Sequence, residues 1–235
     1  RVSSTPAEAE ALYRRAIDAL LILHTRGTAH PDRTSIAFAQ RFDARLYLWE
    51  LEHFLEYGVE RRLGVSLGAR ARAAWRTSFD AIAAELAGGE LVLSHRDFHS
   101  WNILMRGDAP LLIDFQDALL APPEYDLASL LTDRITPRVV TPAMEARLLA
   151  YYWAARGKRV DAERRRRYAL AALHRTVKVI GRIHYVALEK HKPAPLAFLP
   201  DVLATVRRLL AEVSLPGGLA VEFAALPWPK DAAAS

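Results

Sequence analysis

The feature that most constrains the chain is the stretch LVLSHRDFHSWNILMRGDAPLLIDFQD, residues 91–117. Three short apolar runs, 91–93, 103–105 and 111–113, are rich in branched side chains and separated by polar segments. Runs of that length and composition predict strands rather than one helix. Segment 106–110 holds a Gly-Asp pair and a proline and reads as a turn. The polar residues therefore fall at strand ends, where a scaffold aims side chains into a cleft.

Their spacing narrows the chemistry. His95-Arg96-Asp97 is followed by four residues and then Asn102, and Asp114 stands twelve positions further on. Phosphoryl transfer from ATP needs one carboxylate to orient and deprotonate the attacking hydroxyl. It also needs an amide oxygen and a second carboxylate to hold the metal ions that bridge the phosphates. Asp97 fits the first role, and Asn102 and Asp114 the second. An asparagine there binds Mg2+ without adding negative charge against the triphosphate. Asp117 either assists the second metal position or caps the next element. His95 reads as a hydrogen bonder that fixes the loop, and Arg96 as its ion-paired support. On an extended strand His95, Asp97 and His99 share a face and could ligate a metal, but that leaves Asn102 and Asp114 unexplained.

HxDxxxxN followed by IDFxD resembles the signature of the aminoglycoside phosphotransferase and choline kinase-like family, distantly related to protein kinases. HRDFHSWNILM and LLIDFQDALLAPPEYDLASLL are most similar to its anomeric kinases, which phosphorylate N-acetylmuramate and N-acetylglucosamine at C1 in cell-wall recycling. Residues 50–64, ELEHFLEYGVERRLG, and 174–202, HRTVKVIGRIHYVALEKHKPAPLAFLPDV, extend the resemblance over most of the chain. Two positions depart from it, and either could touch the acceptor: His174 stands where Gln is usual, and Trp101 where Arg is frequent.

The resemblance implies an α+β, mostly helical C-terminal lobe of a protein kinase-like fold, with a small sheet carrying the catalytic loop. It implies ATP and Mg2+ as cofactors, a small-molecule sugar acceptor, and an N-terminal nucleotide-binding lobe of the same protein. It also implies that Asp126 braces the loop. Glu50 or Glu52 would accept a hydrogen bond from a sugar hydroxyl, and Arg175 and Lys178 would meet an anionic acceptor group such as a lactyl carboxylate. Rival expectations are an aminoglycoside or amino-alcohol kinase, whose cationic acceptors call for an acidic pocket, and a non-catalytic pseudokinase or assembly module. The net charge of +5 and the Arg175/Lys178 pair weigh against an acidic pocket.

Helix signals fill the rest. Thr5-Pro6-Ala7-Glu8 is a capping box with proline at the first helical position, and Gly27 ends that helix. Further helices are expected over 43–63, 68–86, 142–156, 161–190 and 199–213, the long one broken near Gly181. Another opens at residues 125–129 with Asp126 as N-cap. Residues 215–235, rich in Pro, Gly and Ala, read as a flexible tail. No Gly-rich loop or strand lysine for the triphosphate is found, so residues 1–235 read as one lobe whose nucleotide partner lies elsewhere. Cysteine is absent, which excludes disulfides and thiolate metal sites and agrees with the cytoplasm. No apolar run approaches membrane-spanning length, and the arginine block at 164–167 points around a helix, so neither a membrane nor nucleic acid is an expected partner.

Overall fold

The computed structural model describes residues 5–228. In chain order the elements are α1 Pro6–Ile22, α2 Ile36–Ala39, α3 Ala44–Phe54, α4 Ala69–Ala87, β1 Val92–Ser94, β2 Ile103–Arg106, β3 Ala109–Leu112 and β4 Leu119–Ala121. After these come α5 Pro123–Leu131, α6 Pro142–Ala155, α7 Ala162–Glu189, α8 Leu199–Glu212 and α9 Leu219–Ala225. The helix starts obey local chemistry. Thr5 and Glu8 close the expected capping box on α1, and Asp43 caps α3 by accepting from the Leu46 N–H at 2.9 Å. Both α1 and α3 run on into π-helical turns, Leu23–Gly27 and Leu55–Arg61.

The chain divides into two compact units. One comprises the described part of Arg1–Phe42 with Gly88–Ala172; the other comprises Asp43–Ala87 with the described part of Leu173–Ser235. The division falls inside α7.

The first unit is built to hold a loop. β1 pairs antiparallel with β4, and β2 with β3, so the small sheet expected from sequence is two two-stranded ribbons. The 95–102 loop leaves one ribbon and enters the other. The strand β4 has no clear sequence signal, since three residues are too few for an alternation to show. Segment 40–42 runs beside β4: Phe42 N–H donates to Leu120 O, and Leu120 N–H to Gln40 O. The Thr28 hydroxyl accepts from Leu93 N–H at 2.8 Å and ties the end of α1 to β1. Helix α5 is buried on every side, polar residues included.

The second unit packs helix on helix. Gly181 does not break α7, which is continuous through Glu189. The glycine is instead a close contact: a Cβ there would lie 2.7 Å from the Phe54 Cα, so α7 and α3 touch backbone to backbone. The expected flexible tail is also corrected. Over residues 215–228 a short 3-10 turn leads into α9, whose Leu219 and Phe223 are buried. Ser78 Oγ donates to Pro216 O at 2.6 Å, and Trp228 Nε1 donates to Phe223 O at 2.9 Å. Apolar side chains at helical spacing outweigh the Pro and Gly punctuation there. The rest of that reading, 229–235, lies outside the described residues. No helix among the described residues is long and apolar enough to cross a membrane.

Candidate active site

The site is organised by Asn102. Its buried amide sends Nδ2 to the Asp97 carbonyl at 3.0 Å and to Asp114 Oδ2 at 3.3 Å. Its backbone N–H donates to His99 O, and its carbonyl accepts from Ile113 N–H at 3.1 Å. One residue thus locks the loop end to the strand end that carries Asp114. With both Nδ2 hydrogens committed, Oδ1 is the amide atom left for a ligand. Asp114 has φ 65°, a left-handed conformation rare outside glycine, which turns its carboxylate out of the strand direction. Gln116 Nε2 donates to Asp114 Oδ1 at 2.9 Å.

Support comes from below the loop. Arg96 also has a left-handed backbone, φ 72°. Its N–H and that of His95 both donate to the fully buried Asp126 carboxylate, at 2.9 and 2.8 Å. A third bond to that carboxylate comes from His24 Nε2 at 3.0 Å, and His24 Nδ1 lies 2.7 Å from the Tyr152 hydroxyl. Arg156 donates to the same hydroxyl at 2.7 Å. One assignment satisfies every atom: Arg156 donates to Tyr152, Tyr152 to Nδ1, and Nε2–H to Asp126. Burial pushes the Tyr152 phenol well above its usual range, which keeps it a donor. Asp126 is therefore not the N-cap of α5. The helix starts at Pro123, and Asp126 sits in its first turn, turned toward the loop.

The His95 and Arg96 side chains make different contacts. His95 Nε2 lies 3.0 Å from Ile113 O, linking the loop to the residue before Asp114. The Arg96 guanidinium lies 5.5 Å from the Phe42 ring centroid, a cation–π contact. Asp117 is exposed in the turn between β3 and β4, and a strand rather than a helix comes after it. Its alternative role as a cap is thereby removed. Trp101 is exposed beside Asn102, with the Arg134 guanidinium 5.2 Å from its ring.

Among the described residues no three His, Asp or Glu side chains cluster as a metal cage. The oxygens on offer, the Asn102 amide and the Asp114 carboxylate, are hard donors. They suit Mg2+, which is held by one or two carboxylates with substrate phosphates and water completing its shell.

The four acceptor candidates all lie in the second unit. Glu50 is buried and engaged: Lys178 Nζ lies 2.9 Å from one carboxylate oxygen, and His174 Nε2 lies 3.8 Å from the other. Arg175 is buried. Glu52 is half-exposed, 3.6 Å from Arg76, on the wall of a cavity. His174, one of the two departures that could touch the acceptor, lies in this unit as well. It is wholly buried against Tyr47, its Nε2 3.2 Å from the Tyr47 carbonyl. Burial pushes its imidazole down to about 4, and does the same for His184.

Those two histidines make stability depend on pH. Between about pH 6.5 and 4 the unfolded chain binds protons that the folded chain refuses. Stability therefore falls as pH drops through that window and is flat above it, with a slope up to about 1.4 kcal/mol per pH unit for each histidine. Urea midpoints measured from pH 7.5 to 4.5 are expected to show this decline, and His174→Gln to make it shallower. An equal slope in the variant would show that His174 titrates freely.

A family model described as "Phosphotransferase enzyme family" matches residues 1–170. An N-acetylmuramate/N-acetylglucosamine kinase of Neisseria meningitidis serogroup B is 31% identical over 191 residues. The alignment covers 77% of this chain and 56% of that protein, so the chain spans little more than half of its relative's length. A choline/ethanolamine kinase family protein from Mesorhizobium loti has the same fold, with TM-score 0.57 at 17% identity over 93% of this chain and 67% of that one. An amicoumacin kinase solved with AMP-PNP and Ca2+ is alike in fold, with TM-score 0.57 at 13% identity over 88% of this chain and 60% of its own.

Proposed function

The chain belongs to the phosphotransferase enzyme family, and we propose that it is the acceptor and catalytic lobe of an ATP- and Mg2+-dependent kinase. Its acceptor would be the anomeric C1 hydroxyl of N-acetylmuramate or N-acetylglucosamine. The observation that carries this reading is the Asn102 amide, which joins Asp97 to Asp114 across the two ribbons. Asp97 accepts the proton of the attacking hydroxyl. Asn102 Oδ1 and Asp114 would hold the metal, with Asp117 close in sequence to assist, and the positive charge so held would offset charge that develops on the transferred group. His95, Arg96 and Asp126 position the loop without touching the reactants.

The choice of acceptor rests on the similarity to the Neisseria meningitidis kinase. Glu50, Glu52, Arg175 and Lys178 remain the proposed acceptor contacts. The nucleotide lobe would come from the portion of such a relative that this chain does not span. Leu104, Met105, Leu111, Ile113 and Phe115 leave an exposed apolar surface on and beside the β2–β3 ribbon, of the kind a partner lobe covers.

The metal assignment has a direct test in the full-length protein. Asp114→Ala is expected to weaken Mg2+-dependent nucleotide binding by at least ~10-fold, since it removes the charged ligand of the ion. Binding is measured by titrating nucleotide at several Mg2+ concentrations. An unchanged Mg2+ dependence would place the metal elsewhere.

A further inference from the structure

His24 stands in the π-helical turn Leu23–Gly27, where the Thr28 N–H donates to Leu23 O, five residues back, at 3.2 Å. Such wide turns are rare, and they interrupt α-helices mostly at functional sites. This one is fastened to β1 through the Thr28 hydroxyl, which accepts from the Leu93 N–H. It carries the His24 imidazole between Tyr152 of α6 and Asp126 of α5, and all three side chains are buried.

The chain of bonds through His24 has one direction. A guanidinium has donors and no acceptor. Arg156, which closes α6, can therefore only donate to the Tyr152 hydroxyl, as it does at 2.7 Å. The hydroxyl hydrogen is left to point at His24 Nδ1, 2.7 Å away. The ring hydrogen then sits on Nε2, 3.0 Å from Asp126 Oδ2. That oxygen also accepts from the His95 N–H, and Oδ1 accepts from the Arg96 N–H. Direction is thus set at Arg156 and delivered to the residue next to Asp97. Arg156 is itself held in place. Glu90 pairs with it, and Lys158 Nζ lies 3.0 Å from the second Glu90 oxygen. The guanidinium carbon lies 5.5 Å from both the Tyr152 and the Trp153 ring centroids. Packing alone would require neither a hydroxyl at residue 152 nor a donor at residue 156.

We propose that His24, Tyr152 and Arg156 are positioning residues for phosphoryl transfer, a donor chain of fixed direction that runs from the Glu90 ion pair to the loop carrying Asp97. The proposal rests on the kinase reading for its effect on turnover. The three residues act one through the next and finally through Asp126, which holds the left-handed turn at Arg96.

The test uses the full-length protein. The ¹⁵N shifts of His24 should show a hydrogen on Nε2 and none on Nδ1. Tyr152→Phe removes one oxygen and should lower kcat ~10-fold or more, because a displaced catalytic loop is felt on that scale. Both KM values should stay within about twofold. Hydrogen exchange at the His95 and Arg96 amides should speed up about tenfold, the scale of one lost hydrogen bond. Arg156→Met should lower kcat on its own and have no further effect in Tyr152→Phe, since its influence passes through that hydroxyl. A hydrogen on Nδ1, wild-type kcat in folded Tyr152→Phe, unchanged exchange at both amides, or additive losses in the double variant would each overturn the proposal. A wild-type protein that phosphorylates no amino sugar would defeat the kinase reading instead, and the shifts and exchange rates would still decide whether the chain holds the loop.

Discussion

Asp97→Asn in the full-length protein is expected to lower kcat by at least ~10²-fold, the usual scale for a general acid–base group. The change is nearly isosteric and leaves the backbone contacts of the residue in place. The bond from Asn102 Nδ2 goes to the Asp97 main-chain carbonyl, not to its side chain. The amide cannot take a proton from the attacking hydroxyl, so the loss falls on the chemical step and not on the fold. Steady-state rates, with urea midpoints alongside, separate the two. Wild-type turnover by the variant would remove Asp97 from the mechanism.

Asp126→Ala has the largest expected effect on stability. Its carboxylate is fully buried and accepts from two backbone N–H groups and one imidazole. Truncation leaves these donors without partners in a dry interior, with a loss of ~3–5 kcal/mol, as when one member of a buried polar cluster is removed. The loop suffers with it, since the left-handed backbone at Arg96 persists only while its surroundings enforce it. Turnover should therefore collapse together with the urea midpoint, although Asp97 is untouched. Asp126→Asn keeps one acceptor but turns N–H groups toward donors, and should fall between. An Asp126→Ala protein of wild-type stability would show that the loop stands without its brace.

How much of the fold and the site is legible in the sequence depends on the range of each interaction. The Thr5–Glu8 capping box and the HRDxxxxN spacing are local, so they can be read directly. The start of α5 is misplaced from sequence because Asp126 looks like a cap. Its real partners, His24 and the loop N–H groups, are about 100 and 30 residues away and leave no local mark. Gly181 suggests a break, because a helical glycine that admits a close backbone approach looks the same in sequence as one that ends a helix. Tyr152 lies outside every motif, and His174 stands out in the sequence only as a departure from the usual Gln.

The central claim is that Asp97, Asn102 and Asp114 direct a phosphoryl group onto an anomeric hydroxyl. Its most direct test is ³¹P NMR of the full-length protein incubated with ATP, Mg2+ and N-acetylglucosamine or N-acetylmuramate, in parallel with the corresponding methyl glycosides. A sugar 1-phosphate should form from the free sugars and not from the glycosides, and Asp97→Asn should suppress it. Phosphorylation of a methyl glycoside as readily as the free sugar, or the absence of any sugar phosphate, would contradict the claim.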